Sequence, residues 1–308
     1  MGGHSGVCPA VVGPTAVGKT ALVTALAARL PLEIISLDSR QIYRGLRIGT
    51  AQPTAAERAA CPHHLVDFVD PDERYSAQRF RQDFIRAYQD VTGRGRVPLL
   101  VGGAGLYLKA VAEGLVPVPR HEPKRLARIR AELADLDDEE VRRRLARVDP
   151  QAHARIHPGD RLRTQRALEV FLLAGRTQTD LHRSQTADPA LGLRFPVFVL
   201  TRDGDDLDAR IAARTEAMLA RGWIEETRAL LGCHRADGPG LCSIGYREIV
   251  RYLGGDLPRR GLTPAIVRAT RQYAKRQRTW FRALDARGRG HPDDPALVST
   301  LLGLLGAP

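Results

Sequence analysis

The stretch Gly13-Pro14-Thr15-Ala16-Val17-Gly18-Lys19-Thr20 constrains this chain more than any other. It spells G-x-x-x-x-G-K-[ST], a loop whose backbone N–H groups wrap linked phosphates. In that pattern the lysine reaches terminal phosphate oxygens and the last hydroxyl goes to Mg2+. Such a loop works only between a strand and a helix. Val7 to Val12 is a short apolar run, marred by Pro9, which a strand tolerates near its beginning. Lys19 to Leu30 carries Leu22, Val23, Leu26 and Leu30 at helical spacing. A helix N-terminus aimed at the loop adds its positive dipole end. The loop alone leaves open whether the phosphates belong to a nucleotide, as in ATP-binding proteins, or to another diphosphate.

Strand-like runs recur at Glu33–Leu37, His64–Phe68, Val97–Val101 and Phe195–Thr201. Between them lie an amphipathic helix over Tyr75–Val91, with Phe80, Phe84, Tyr88 and Val91 on one stripe, and another helix over Gly105–Glu113. This alternation predicts an α/β fold: a P-loop core with a parallel sheet flanked by helices. From about Leu115 to Arg194 the strand-like runs vanish. Helical periodicity covers 123–136, 138–147 and 159–174, with Pro117, Pro119 and Pro123 before it and Pro189 and Gly192 after it. The expected organisation is therefore residues 1–114 as the first part of the core, 115–194 as an inserted all-helical domain, and 195–308 as core completion with C-terminal helices. Those later helices are expected at 205–221, 223–232, 244–253 and 263–284, then a loose tail from 287 with a weak final helix.

Two strand ends matter. Groups just past the carboxyl ends of strands line the ligand crevice of an open α/β sheet. Asp38, after Glu33–Leu37, either faces what the loop holds or caps the next helix; both readings stand. Val97–Val101 ends in Gly102-Gly103, where ATP-hydrolysing enzymes with this loop carry an aspartate for Mg2+. That absence counts against a kinase or ATPase.

The formal net charge is +12, and only four of the 47 basic residues are lysine. Such an excess is the footprint of a phosphate-rich partner, most often nucleic acid, unless it is merely a solvated basic surface. Placement decides between them. Over 263–284, Arg268, Arg271, Lys275, Arg278 and Arg282 form one stripe, and Ile266, Tyr273, Trp280 and Leu284 form a second, assigned to the packing face. Residues 265–284 contain no acid, which favours phosphate over a solvated helix. No run of about 18 apolar residues exists, so no membrane span is expected. Four scattered cysteines without a C-x-x-C pair, and no secretory leader after Met1-Gly2, point to a cytoplasmic protein with reduced thiols.

Taken together, these stretches resemble the tRNA dimethylallyltransferases, also called tRNA isopentenyltransferases. The blocks that carry the likeness are GPTAVGKT (13–20), DSRQIYRGLRIGTAQP (38–53), PHHLVD (62–67), YSAQRF (75–80) and GGAGLY (102–107). They continue with DPQAHARIHPGDRLRTQRALEVF (149–171), RIAARTEAMLARGWIEE (210–226), SIGYRE (243–248) and TRQYAKRQRTWFR (270–282). The resemblance implies transfer of a dimethylallyl group from dimethylallyl diphosphate to the N6 amine of the adenosine beside the anticodon in tRNA. It implies that Gly13 to Thr20 (Gly13, Pro14, Thr15, Ala16, Val17, Gly18, Lys19, Thr20) hold the diphosphate, with Thr20 on Mg2+ and Thr15 and Arg214 assisting. Asp38 matches the family's general base. Contacts to the tRNA anticodon stem-loop are implied for Asp38, Ser39, Arg40 and Gln41 and for Leu162, Arg163, Thr164, Gln165 and Arg166; the basic stripe, with Lys275 and Arg278, is expected to help position tRNA phosphates. Arg210 matches another family position facing the diphosphate. Ala104 stands where the family usually has a threonine contacting tRNA. Val17 replaces a frequent serine, and the Cys/His zinc module of some eukaryotic relatives is missing. A monomer is the expected state.

Three rival readings remain at this level. A small-metabolite kinase would use the insertion as a lid with Arg161, Arg163 and Arg166. An isopentenyltransferase acting on free AMP or ADP would have no use for the insertion or the basic helix. A non-enzymatic tRNA-binding module would leave the phosphate loop and Asp38 without a purpose.

Overall fold

The computed structural model describes residues 6–115, 123–184 and 186–306, so Met1, Gly2, Pro117 and Pro119 lie outside the described residues. The chain divides into one compact unit of Met1–Glu113 with Pro189–Pro308, and a second of Gly114–Asp188. The first unit regains its sheet earlier than residue 195. Arg194 N–H donates to Gly6 O at 2.7 Å and its carbonyl accepts Cys8 N–H at 2.9 Å, while Ala190 and Leu193 are buried in the core.

The first unit begins with β1 (Ala10–Val12), α1 (Lys19–Ala27), β2 (Leu32–Leu37), α2 (Ala55–Ala60), β3 (His63–His64), α3 (Ala77–Gly93), β4 (Val97–Gly102) and α4 (Gly105–Ala112). Pro9 shortens β1: Val7 keeps only an isolated bridge to Arg194, and the ladder starts at Ala10. β3 is shorter than the run His64–Phe68 because Leu65 and Asp67 take φ of 60° and 61°, turning the chain out of the extended region. Asp67 then accepts Gly45 N–H at 2.9 Å. Side-chain caps start two of the helices: Thr54 with Glu57 forms a capping box on α2, and Ser76 caps α3.

The helical unit comprises α5 (Pro123–Ala134), α6 (Asp138–Val148), α7 (Pro150–Arg155), α8 (Arg161–Ala174) and α9 (Gln178–Arg183). Its own core is Ile129, Leu133, Val141, Leu145, Leu168 and Leu173. Asp149, 3 % exposed, ties it together. One carboxylate oxygen accepts Ala152 N–H at the start of α7 and the Thr179 hydroxyl, and the other accepts Thr179 N–H in α9. The chain then returns to the first unit with β5 (Val197–Leu200), α10 (Gly204–Ala220), α11 (Trp223–Leu231), α12 (Tyr246–Leu253), α13 (Arg259–Arg282), β6 (Gly288–Gly290) and α14 (Pro295–Leu304).

All strand pairs are parallel, in the order β3-β2-β4-β1-β5-β6. The period of two sorts the strands between two cores. Ala10, Val12, Ile35, Leu37, Val197 and Val199 face α3 and α4, where Phe80 stacks on Tyr107 with ring centroids 4.3 Å apart. Val11, Ile34, Phe198 and Leu200 face α1, α10 and α14. A third cluster, around Trp223, Tyr246 and Ile266, holds the loop after β2 through Ile42, Tyr43 and Leu46.

Two expectations for the C-terminal part are corrected. Residues 287–306 are no loose tail: β6 pairs with β5, and α14 buries Leu297 and Leu301. On α13 the buried residues are Leu262, Ala265, Ile266, Ala274, Gln277 and Phe281. Of the apolar stripe assigned to packing, Ile266 is buried, Tyr273 and Leu284 are half-buried, and Trp280 stays 41 % exposed. Small Ala274 and polar Gln277 carry the packing there, so counting large apolar residues misplaced the face.

Burial alone would raise the Asp149 carboxyl, but hydrogen bonds from Thr179 and Ala152 outweigh it and hold the group below its ordinary value. Its stabilisation is thus complete above the ordinary carboxylate value and lost as pH falls through the lower folded one. With a hydrogen bond to an ionised group contributing about 1.5–3 kcal/mol, Asp149→Ala should destabilise the helical unit by roughly 3 kcal/mol. Hydrogen exchange of amides in α6 to α9 at neutral pH checks this, and the gap between variant and parent should narrow below about pH 4.

Candidate active site

Four strand ends define the crevice. In sheet order they are β2, with Asp38 next after it; β4, which ends at Gly102 with Gly103 next; β1, which leads into residues 13–20; and β5, with Arg202 two residues past its end. Asp38 and the loop are thus two interstrand spacings apart, about 10 Å, with a strand between them whose end carries no side chains. A Cβ on Gly102 would lie 2.1 Å from Leu37 O, and one on Gly103 would lie 2.2 Å from Gln277 Nε2. The two glycines permit close approach of their neighbours and leave a trough between carboxylate and loop.

The loop is shaped by two residues in left-handed conformation, Ala16 at φ 64° and Gly18 at φ 114°. Thr15 N–H donates to Gln277 Oε1 at 2.9 Å, and Val17 N–H to Pro14 O at 3.4 Å. The amides of Ala16, Gly18, Lys19 and Thr20 have no acceptor among the described residues, the last two because they open α1. Concave runs of such amides bind anions. Three arginines brace the loop from outside. Arg202 donates to Val17 O at 3.2 Å and Arg210 to Ala16 O at 2.9 Å, while Arg214 reaches the Thr15 hydroxyl at 3.3 Å. Lys19 curls over the loop, its Nζ donating to Gly13 O and Pro14 O, both at 2.9 Å. Thr20 is exposed, and its hydroxyl makes no hydrogen bond to another described residue.

Asp38 is half-buried and starts no helix. Its Oδ1 accepts Arg40 N–H at 2.7 Å and Gln41 N–H at 3.2 Å, a turn that fixes the carboxylate. The following loop is locked by its own side chains. Gln41 accepts the Ser36 hydroxyl and donates to Thr50 O and Ala51 O. Glu226 accepts Arg47 and Ile48 N–H, and the Tyr246 hydroxyl accepts Gly49 N–H.

The Asp38 charge reaches across the trough. Burial depresses Lys19 to about 8, with Asp38 opposing that shift and Arg214 adding to it. Burial also lowers Arg214, again against Asp38, which leaves a guanidinium still charged at neutral pH. Burial and then Asp38 push Tyr273 up to about 12. Lys19, Arg214, Tyr273 and Asp38 therefore share one field.

Other expected site residues are placed as follows. Ser39 is half-exposed, and Arg40 is exposed and donates to Pro239 O. Gln41 is spent on its own loop. Ala104 is half-buried and donates its amide to Leu37 O, which sets it beside Asp38. Lys275 and Arg278 are exposed on α13. Within the helical unit, Leu162 and Arg163 are exposed at the start of α8, and Arg166 pairs with Glu169. Gln165 is half-buried and donates to Leu133 O, while Thr164 is fully buried with its hydroxyl on Asp160 O, so its side chain faces the unit's core. The basic stripe of α13 is divided as well, since Arg271 pairs with Asp208 of α10 at 3.0 Å. Two residues escaped the sequence reading. Gln277 was betrayed by its place as a polar residue on a packed helix face. Arg202 follows the rule that singled out Asp38, standing just past a strand's carboxyl end.

The model of a family described as IPP transferase matches residues 41–284. The chain belongs to that family. A second model, isopentenyl transferase, matches residues 7–62. The chain is 47% identical over 285 residues to a tRNA dimethylallyltransferase of Burkholderia thailandensis, covering 90% of this chain and 87% of that one. It is 46% identical over 276 residues to the enzyme of the same name from Halorhodospira halophila, covering 88% of each. Among solved structures it is similar to a full-length tRNA isopentenylpyrophosphate transferase from Bacillus halodurans, with a TM-score of 0.70, 34% identity, and 98% and 97% of the two chains covered. It is also similar to a eukaryotic dimethylallyltransferase acting on tRNA, with a TM-score of 0.78, 26% identity, and 96% and 77% covered. The likeness to solved members extends to the parallel six-stranded core and its helices.

The lowered Lys19 makes a pH prediction. Its ammonium is charged at pH well below about 8, half-charged there, and lost as pH rises further. Affinity for an organic diphosphate, titrated calorimetrically at constant ionic strength, should therefore weaken between pH 7 and 9.5. A Lys19→Met variant should bind more weakly at pH 7 and lack the decline; a pH-independent parent would contradict the assignment.

Proposed function

We propose that this chain transfers the dimethylallyl group of dimethylallyl diphosphate to the N6 amine of the adenosine 3′-adjacent to the anticodon in tRNA, releasing diphosphate. The observation that carries this reading is the carboxylate of Asp38 held across a glycine-ended strand from a phosphate-binding loop, in a member of the IPP transferase family. The bond from N6 to the allylic carbon forms as the carbon–oxygen bond breaks, and the electron pair leaves with the diphosphate. The amine proton passes to Asp38. An adenine amine is a weak nucleophile, so both ends of the reaction need help.

At the departing end, the amides of Ala16, Gly18, Lys19 and Thr20 accept the diphosphate, and the Lys19 ammonium exchanges its loop carbonyls for phosphate oxygens. Arg214, steered by the Thr15 hydroxyl, faces the developing charge. Such preorganised donors supply a large share of catalysis. The unengaged Thr20 hydroxyl is a hard oxygen donor at the mouth of the loop and, with diphosphate oxygens and water, makes a donor set suited to Mg2+. Thr20 would hold the ion, which supplies charge neutralisation on the leaving group.

At the other end, the adenine leaves its stack to enter the trough. Exposed Arg40, Lys275 and Arg278 contact the RNA backbone, and Leu162 and Arg163 give the helical unit its RNA contacts. Thr164 acts only by shaping α8. Against a kinase reading stands the side-chain-free end of β4, which offers no carboxylate for a nucleotide-bound metal.

Mass analysis of tRNA nucleosides after incubation with protein, Mg2+ and dimethylallyl diphosphate should show N6-dimethylallyl adenosine. Asp38→Ala should retain tRNA affinity within a few-fold while single-turnover product formation drops by roughly two to four orders of magnitude. Equal turnover in parent and variant would remove Asp38 from the reaction.

A further inference from the structure

Outside the crevice, one cationic concavity stands where α12 packs on α13. Arg247 and Arg251 on α12 and Arg268 and Gln272 on α13 line a cleft of about 290 Å3. Each pair is four residues apart, so both members lie on one side of their helix. Ala265 is small and buried at its base, which makes the surface concave. The one acid lining it is Glu248, 4 % exposed and already engaged. Its carboxylate accepts Gly245 N–H at 2.6 Å and pairs with Arg247 at 2.7 Å. Arg251 and Arg268 are exposed and have no ion-pair partner among the described residues. Two uncompensated guanidiniums thus meet across a cleft between rigid helices, where the planar fork of arginine suits a phosphate.

We propose that this cleft grips a phosphodiester of the substrate RNA backbone, as a phosphate site separate from residues 13–20. The proposal rests on the RNA-prenylating reading above and extends it. A polynucleotide fits better than a single anion because the charge does not stop at the cleft. Arg268 and Lys275, seven residues apart, share one side of α13 about 10 Å from one another. Arg271 does not extend the row, because it is paired with Asp208. The cleft is open to solvent at its arginine rim, so a continuous backbone can cross it.

Binding of an anticodon stem-loop RNA, measured from 50 to 200 mM salt, tests this. Each neutralised phosphate contributes a slope of about 0.7–0.9 in log K against log salt. Arg251→Gln with Arg268→Gln should therefore make the slope shallower by about 0.7–0.9, and each single substitution by a part of that. KM for the RNA should rise, while kcat at saturating RNA and KM for dimethylallyl diphosphate stay at parental values. Arg259→Gln with Arg260→Gln removes the same charge from an exposed position outside the cleft and should keep the parental slope, as should Arg251→Lys with Arg268→Lys. A parental slope in the cleft variants, or an equal loss in the Arg259/Arg260 control, overturns the site. Product formation by the parent protein is followed in the same preparation. Failure there overturns the functional reading, whereas parental turnover with an unchanged slope overturns the cleft alone.

Discussion

Because β4 ends in Gly102, with Gly103 next, between the strand that delivers Asp38 and the strand that delivers the phosphate loop, the sheet itself leaves a trough two interstrand spacings wide. Any side chain at these positions would strike Leu37 O or Gln277 before it could fill that space. The same bare strand end frees Gly103 O to accept Gln277 Nε2 at 3.0 Å, while Gln277 Oε1 takes Thr15 N–H. One buried amide thus fastens the loop to the floor of the trough. In the proposed reaction, the absence of a metal-holding carboxylate here and the room for a bulky nucleophile both follow from this one choice of residue.

Charge is organised around the same gap. Asp38 is fixed by two backbone amides and is too far away to be neutralised by a direct bond from Lys19 or Arg214, yet its field still reaches both. In the proposed reaction, a cation closed on Asp38 would be unavailable to the diphosphate. The loop arginines show a related economy. Arg202 and Arg210 spend their donors on loop carbonyls, orienting the amides, and Arg202 is further tied to Asp206 at 2.5 Å. Catalysis by preorganised dipoles requires that they be held before the charge appears.

How much was legible in the sequence depends on where the information lies. Residues 13–20 could be read because backbone shape needs glycine at fixed spacing, and Asp38 because strand ends line the crevice of such sheets. β6 could not be read: Gly-Arg-Gly has no strand-like pattern, and Gly288 lies opposite Phe198, whose ring lies 3.1 Å from where a Cβ on Gly288 would stand. The packing face of α13 was misplaced because Ala274 and Gln277 carry contacts that large apolar residues normally carry. Thr164 sits inside a segment matched as a block, and block matching cannot tell an outward residue from an inward one. Arg271 looked unpaired because its acid, Asp208, comes from another helix.

The geometry of one pocket decides the reaction, and a crystal structure with an unreactive dimethylallyl diphosphate analogue reads it most directly. The diphosphate oxygens should lie about 3 Å from the amides of Ala16, Gly18, Lys19 and Thr20, with the allylic carbon over the end of β4 and facing Asp38. An analogue seated elsewhere, or an Asp38 carboxylate turned away from the trough, would contradict it.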